Sequence, residues 1–195
     1  MPRSSKQFDD IRKQKKKLIM DTALELFAEN GFHATSISRI AKKAGISKGL
    51  TYNYFESKDE ILDQIVKTGF DSIYSHFDMN HDGVLTTAEF NYFIRKSFRV
   101  INENRRFWKL YTILLMQSDL AETVQKKYGD STAFITQTLK KFIESEGSKD
   151  PDGDLMIISS LLKGATMIII SAPDYFPVKQ LEEKIIDASF RIINN

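Results

Sequence analysis

The chain has 195 residues, 42% of them hydrophobic, enough to bury one substantial core or two small ones. It has no cysteine, which excludes disulfides, thiolate metal sites and cysteine nucleophiles and fits the reducing cytoplasm where we expect the protein. The net charge of +2 is uneven, with +4 over residues 1–60 and −2 over the rest, so a polyanion should meet the amino-terminal end.

No signal-peptide pattern opens the chain. The basic run of Arg3, Lys6, Arg12, Lys13, Lys15, Lys16 and Lys17 fits either an arm and first-helix start along phosphates or in a minor groove, or a solvated, partly disordered tail. From near Ile11 to Asn30 the spacing of Leu18, Ile19, Ala23, Leu26 and Phe27 predicts an amphipathic helix, with Gly31 as its C′ residue.

Residues 35–58 read as two short helices joined by a tight turn. Thr35 is a candidate N-cap, Ile37, Ile40 and Ala41 fall at helical spacing, and Gly45 supplies the left-handed backbone of a helix-turn-helix corner. Ser47 caps a second helix from Lys48 to Tyr54 whose residues are too polar for a core element and suit a groove in DNA. Gly49 admits close backbone approach, Lys48 neutralises phosphate, Leu50 or Thr51 can meet a thymine methyl, and Asn53 and the hydroxyls of Tyr52 and Tyr54 offer polar contacts. Thr35, Ser36, Ser47 and, at the start of the next helix, Lys58 complete the candidate DNA-contacting set. An ordinary αα-corner would account for the apolar positions here, but it gives no reason for the Tyr52, Asn53, Tyr54 cluster.

These residues resemble the DNA-binding domain of the TetR family of one-component bacterial regulators. The resemblance covers about Lys15 to Leu62 and is carried by Gly31-Phe32, Thr35-Ser36-Ile37, Ile40-Ala41, Ala44-Gly45-Ile46-Ser47, Gly49, Tyr52, Tyr54-Phe55 and Ser57-Lys58. It implies an all-α protein with an N-terminal three-helix helix-turn-helix domain, residues 1–58, and a helical ligand-binding and dimerisation domain, residues 59–195. The implied function is that of a transcriptional regulator, a repressor, that binds a palindromic double-stranded operator as a homodimer and is released by an effector, with no required cofactor. One position departs from the family pattern. The place before Tyr52, commonly bulky and apolar in the family, is Thr51, so either Leu50 takes over the packing or Thr51 enters the core bonded to its own backbone.

A fourth helix is expected from Asp59 to about Phe77, the lever between domains in a TetR-like protein. After it, residues 78–89 match a twelve-residue EF-hand loop at every diagnostic place. Asp78, Asn80 and Asp82 supply side-chain oxygens, Gly83 the sharp turn, the carbonyl of Val84 and the hydroxyl of Thr86 further ligands, and Glu89 a bidentate carboxylate, so Ca2+ is a candidate ligand and effector. Thr86 and Glu89 equally form a capping box that would start the next helix without metal. That alternative leaves Asp78 and Asn80, at the acid-disfavouring end of a helix, unexplained.

The remaining pattern predicts helices over about Thr87–Asn102, Arg105–Gln117, Leu120–Ser145, Asp154–Ser171 and Val178–Ile193, with a loop from Pro173 to Pro177. Leu155 to Ala172 is apolar over most of its circumference, but Asp154 and Lys163 argue for a helix buried on two sides rather than a membrane span. With the last helix it is the expected dimer interface. A small apolar effector would find its pocket among Phe98, Trp108, Tyr111, Phe134 and Met167, although aromatic and methionine residues at helical spacing more often fill a core. His33, His76 and His81 join no nucleophile or metal constellation, so no enzyme is expected. The reading from another class is a calcium-binding helical interaction module without DNA function.

Overall fold

The computed structural model describes residues 5–80, 82–172 and 174–195. Arg3, His81 and Pro173, and the side chain of Lys6, lie outside the described residues. Among the described residues there are nine α-helices and no strand: α1 Ser5–Asn30, α2 Ile37–Lys43, α3 Lys48–Tyr52, α4 Lys58–Tyr74, α5 Thr87–Glu103, α6 Arg105–Leu115, α7 Ser118–Ser145, α8 Pro151–Ser171 and α9 Val178–Ile193. The all-helical expectation therefore holds for these residues. Their ends differ from the pattern by local chemistry. Most of the basic run lies inside α1, which begins at Ser5 rather than Ile11, so its described part is helix start rather than arm or tail. Asp150 caps α8 by accepting from Gly153 N, and Pro151 follows at the position where a missing N–H costs nothing, so α8 starts before Asp154.

The chain divides into two compact units, Met1–Gly69 with Leu110–Ala121, and Phe70–Lys109 with Glu122–Asn195. The boundary read from the sequence, 58/59, falls inside the first of them. That unit buries Ile19, Leu24, Phe27, Ile40, Phe55 and Ile61 at 2% exposure or less. Leu24 joins this core while Leu18, read as part of the apolar stripe, is 38% exposed, which turns the buried face of α1 toward its carboxyl-terminal half. Gly31 ends α1 at φ +85°. Gly45, at φ +67°, closes α2: its N–H donates to Lys42 O while Ile46 N–H reaches Ala41 O at 3.0 Å, the paired bonds of a helix that stops on a left-handed residue.

In the second unit α8 packs on α9 and α5. Phe90 stacks on Phe142 at 4.9 Å and meets Phe190 edge-on at 5.8 Å. Although α8 is long and apolar enough to cross a membrane, it carries Asp154 and Lys163 and buries Ile158, Ala165 and Ile169 against its own unit. Its other side is open: Met156 is 70% exposed, Ile157 49% and Met167 46%, so burial on two sides is not achieved within one chain.

Candidate functional site

Ser47 accepts a hydrogen bond from Leu50 N–H at 3.1 Å and so starts α3, a five-residue helix whose outer face is polar. Lys48, Gly49, Tyr52 and Asn53 are exposed, and Lys48 Nζ lies 5.9 Å from the Tyr52 ring centroid. Beyond its chain neighbours and its own helix backbone, no atom of the described residues stands within 4 Å of where a Gly49 side chain would begin, so a ligand can approach this backbone closely. Leu50 and Tyr54 are half-buried. The fold thus presents an ammonium, an amide and a phenol hydroxyl together, the groups that donate to phosphates and read base edges.

Of the residues assigned to that surface by sequence, Thr35 and Thr51 belong to the interior and the half-buried Lys58 is engaged within the protein. Thr35 is 1% exposed and its hydroxyl donates to Gly31 O at 2.9 Å, so it closes the turn after α1; the N-cap of α2 is Ser36, which is exposed and accepts from Arg39 N–H. Thr51 is fully buried with its hydroxyl directed to Ser47 O at 3.3 Å, which decides between the two packings left open and removes it from base contact. Lys58 Nζ donates to Phe32 O at 2.8 Å and His33 O at 3.3 Å and lies 4.3 Å from the Phe32 ring centroid, so its charge holds a turn together. In α2, Lys43 pairs with Glu25 and Glu29, and Arg39 donates to Asn30 Oδ1. Lys42 is an exposed cation on the same helix that spacing alone does not separate from a solvated face.

Two further residues of the first unit, Gln117 and Gly69, escaped the sequence reading, and Tyr111 takes a role other than the pocket lining expected of it. Gln117 donates through Nε2 to Phe27 O at 2.8 Å and accepts through Oε1 from Phe32 N–H at 3.2 Å, pairing two backbone groups at the end of α1. Tyr111 donates its hydroxyl to Val66 O at 3.1 Å, and its ring lies so close to Gly69 that a β-carbon there would stand 2.4 Å from two ring atoms. Gly69, a helix-interior glycine with no turn to serve, was the one available signal of such an approach.

Within the second unit the acidic segment has ordered internal bonding. Asp78 Oδ2 accepts from Gly83 N–H at 2.8 Å, Asn80 Oδ1 from Asp82 N–H at 3.2 Å, and Asp82 Oδ1 from Val84 N–H at 2.8 Å. Gly83 has φ +76°. Thr86 is the N-cap of α5 and forms a full capping box with Glu89. The helix leading in stops at Tyr74 rather than Phe77, where Phe77 N–H turns back to Tyr74 O. Among the described residues no three His, Cys, Asp or Glu side chains converge as a ready metal cluster.

Beside this segment Phe70, Tyr74, Phe77, Phe134 and Ile135 line a cavity of ≈ 530 Å³, with Asp71, Asp78 and Asp130 at its wall. Burial raises the Tyr74 phenol pKa above its ordinary value. Of the residues expected to form a pocket, Phe134 lines this cavity. Phe98 and Trp108 are core side chains, 1% and 6% exposed, and the Trp108 indole N–H is committed to Val100 O. Tyr111 belongs to the first unit and Met167 lies on the open side of α8.

The geometry has relatives. Residues 19–65 match the model of the bacterial regulatory proteins, tetR family. The chain is 44% identical over 63 residues to the uncharacterized HTH-type transcriptional regulator YuxN of Bacillus subtilis, covering 32% of this chain and 22% of that protein. It is 47% identical over 49 residues to the fatty acid metabolism regulator protein of the same organism, 25% of each chain. These matches therefore span about a quarter of the relatives' own length. A TetR-like transcriptional regulator from Rhodococcus sp. RHA1 has the same fold, with TM-score 0.71, 18% identity, and coverage of 100% of this chain and 99% of that one. The helix-turn-helix residues thus match the tetR family of bacterial regulatory proteins by sequence over residues 19–65, and the full length shares the fold of a TetR-like regulator.

Proposed function

We propose that this protein is a transcriptional regulator, a repressor, that binds a palindromic operator as a homodimer and leaves it when an effector binds. The observation that carries this reading is the exposed face of α3, where Ser47, Lys48, Gly49, Tyr52 and Asn53 are held on a buried three-helix core with Gly49 open to close approach. In this reading Ser36, Leu50 and Tyr54 border the contact surface, and Thr35, Thr51 and Lys58 act by holding it in place. A dimer is supported by α8, whose open side offers Met156, Ile157 and Met167, an apolar surface that an isolated chain would leave in water. Twofold protein symmetry then calls for a twofold operator.

The effector site in this reading is the aromatic cavity around Tyr74 and Phe134, taking a small apolar molecule. An effector that lowers operator affinity must itself bind more weakly to the DNA-bound protein, by the same factor. A gel-shift against the promoter region of the protein's own gene tests the reading. Wild type should retard the DNA, and Tyr52→Ala and Lys48→Ala, with unchanged circular dichroism, should weaken retardation by about tenfold or more, on the order of 1–3 kcal/mol per lost contact. Equal retardation of the variants, or none by wild type on any genomic fragment, would overturn it.

A further inference from the structure

We propose that residues 78–89 form a single-ion Ca2+ site of the EF-hand type. It stands independently of the DNA reading, since it rests on different residues and on a different measurement. The decisive observation is Asp78. This side chain is 7% exposed, one carboxylate oxygen accepts from Gly83 N–H inside the loop, and the other, Oδ1, is buried with no hydrogen-bond partner among the described residues. A buried carboxylate oxygen without a donor is costly, and the missing partner has to be a cation or a donor. Residues 68–94 contain Asp71, Asp78, Asp82 and Glu89 and no Lys or Arg; their two histidines are His76 and His81, the second outside the described residues.

The surroundings suit a hard cation with oxygen ligands. Asn80, Asp82, Thr86 and Glu89 follow Asp78 at the second, fourth, eighth and eleventh residues, the spacing that brings six or seven oxygens around one Ca2+. Gly83 takes the left-handed backbone at the required sixth place, and Leu85 at the eighth place is buried at 4% exposure. The exiting helix α5 begins at Thr87, directly after the ninth place, and Phe77 packs edge-on against Phe93 with ring centroids 5.1 Å apart, joining the residues before and after the loop through their apolar sides.

Binding exchanges internal bonds for metal bonds. Asp82 and Glu89 are turned toward Val84 N–H, Asn80 and Thr86, and the ion would draw the Asp82 carboxylate and the Glu89 carboxylate off these partners onto itself. That exchange places the affinity at the weak end for such loops, with Kd on the order of 10 µM to 1 mM. Mg2+, which demands six tighter and more regular ligands, should compete poorly. An organic cation in the adjoining cavity could meet Asp78, but it would leave Asn80, Asp82 and Glu89 without a role.

The test is isothermal titration of the full-length, chelator-stripped protein with CaCl2, with native mass spectrometry to count bound ions. The expected result is one Ca2+ per chain in that affinity range. Asp78→Asn, which keeps an acceptor for Gly83 N–H, and Asp82→Asn, at an exposed position that should not disturb folding, should each weaken binding about tenfold or more while circular dichroism stays unchanged. No binding up to about 10 mM Ca2+, beyond the weak end of such sites, would overturn the proposal. So would wild-type affinity in Asp82→Asn.

Discussion

Gly69 sets two opposed effects against each other, and the structure decides which wins. In an exposed helix, Gly→Ala stabilises by about 1 kcal/mol, because alanine has less backbone freedom to lose. At this position the added methyl would stand 2.4 Å from Cε2 and Cζ of Tyr111 and 2.8 Å from its hydroxyl. Carbon atoms at rest sit roughly 3.5 Å apart, so the ring would have to move by about 1 Å. It has little freedom to do so, being 8% exposed and tied through its hydroxyl to Val66 O, one turn earlier on the same helix. Overpacking of this kind costs about 1–3 kcal/mol, so the net effect of Gly69→Ala should be a loss of up to about 2 kcal/mol. In a chain of this size that lowers the melting temperature by up to about 8 °C, measured by far-ultraviolet circular dichroism. Replacing Tyr111 by Leu removes the three atoms in conflict. In the Tyr111→Leu background the same Gly69→Ala change should therefore become neutral or stabilising by up to about 1 kcal/mol. A rise in melting temperature in the wild-type background, or an equal loss in both backgrounds, would refute the reasoning.

Two other substitutions probe the first unit. Gln117→Ala leaves Phe27 O and Phe32 N–H without their side-chain partner, and should cost about 1–3 kcal/mol, seen as a lower urea midpoint at unchanged slope. Thr51→Val keeps the side-chain shape in a fully buried place and gives up one long hydrogen bond, so stability should change by less than about 1 kcal/mol and operator retardation should be the same as wild type. A selective loss of DNA binding in Thr51→Val would return that residue to the contact surface.

What the sequence by itself determined is the chemistry that acts within a few residues. Gly31, Gly45 and Gly83 announce positive φ, Ser47 and Thr86 announce helix starts, and the density of such signals between Gly31 and Lys58 identifies the helix-turn-helix, because caps and left-handed turns depend mainly on immediate neighbours. Only the tertiary structure decided which polar side chains face outward. Thr35 and Thr51 carry the same hydroxyl as Ser36 and Ser47, yet packing puts the first pair inside and the second pair at the surface. It also decided where the units divide. Gln117 meets backbone 85 and 90 residues earlier in the chain, and Tyr111 meets Val66 across 45, pairings that no local period encodes. The cavity moved for the same reason, since Phe98 and Trp108 were consumed in filling the core while Phe70, Tyr74 and Phe77 were left lining space. An aromatic residue at helical spacing reveals that it will be covered; what covers it depends on where the other helices come to rest.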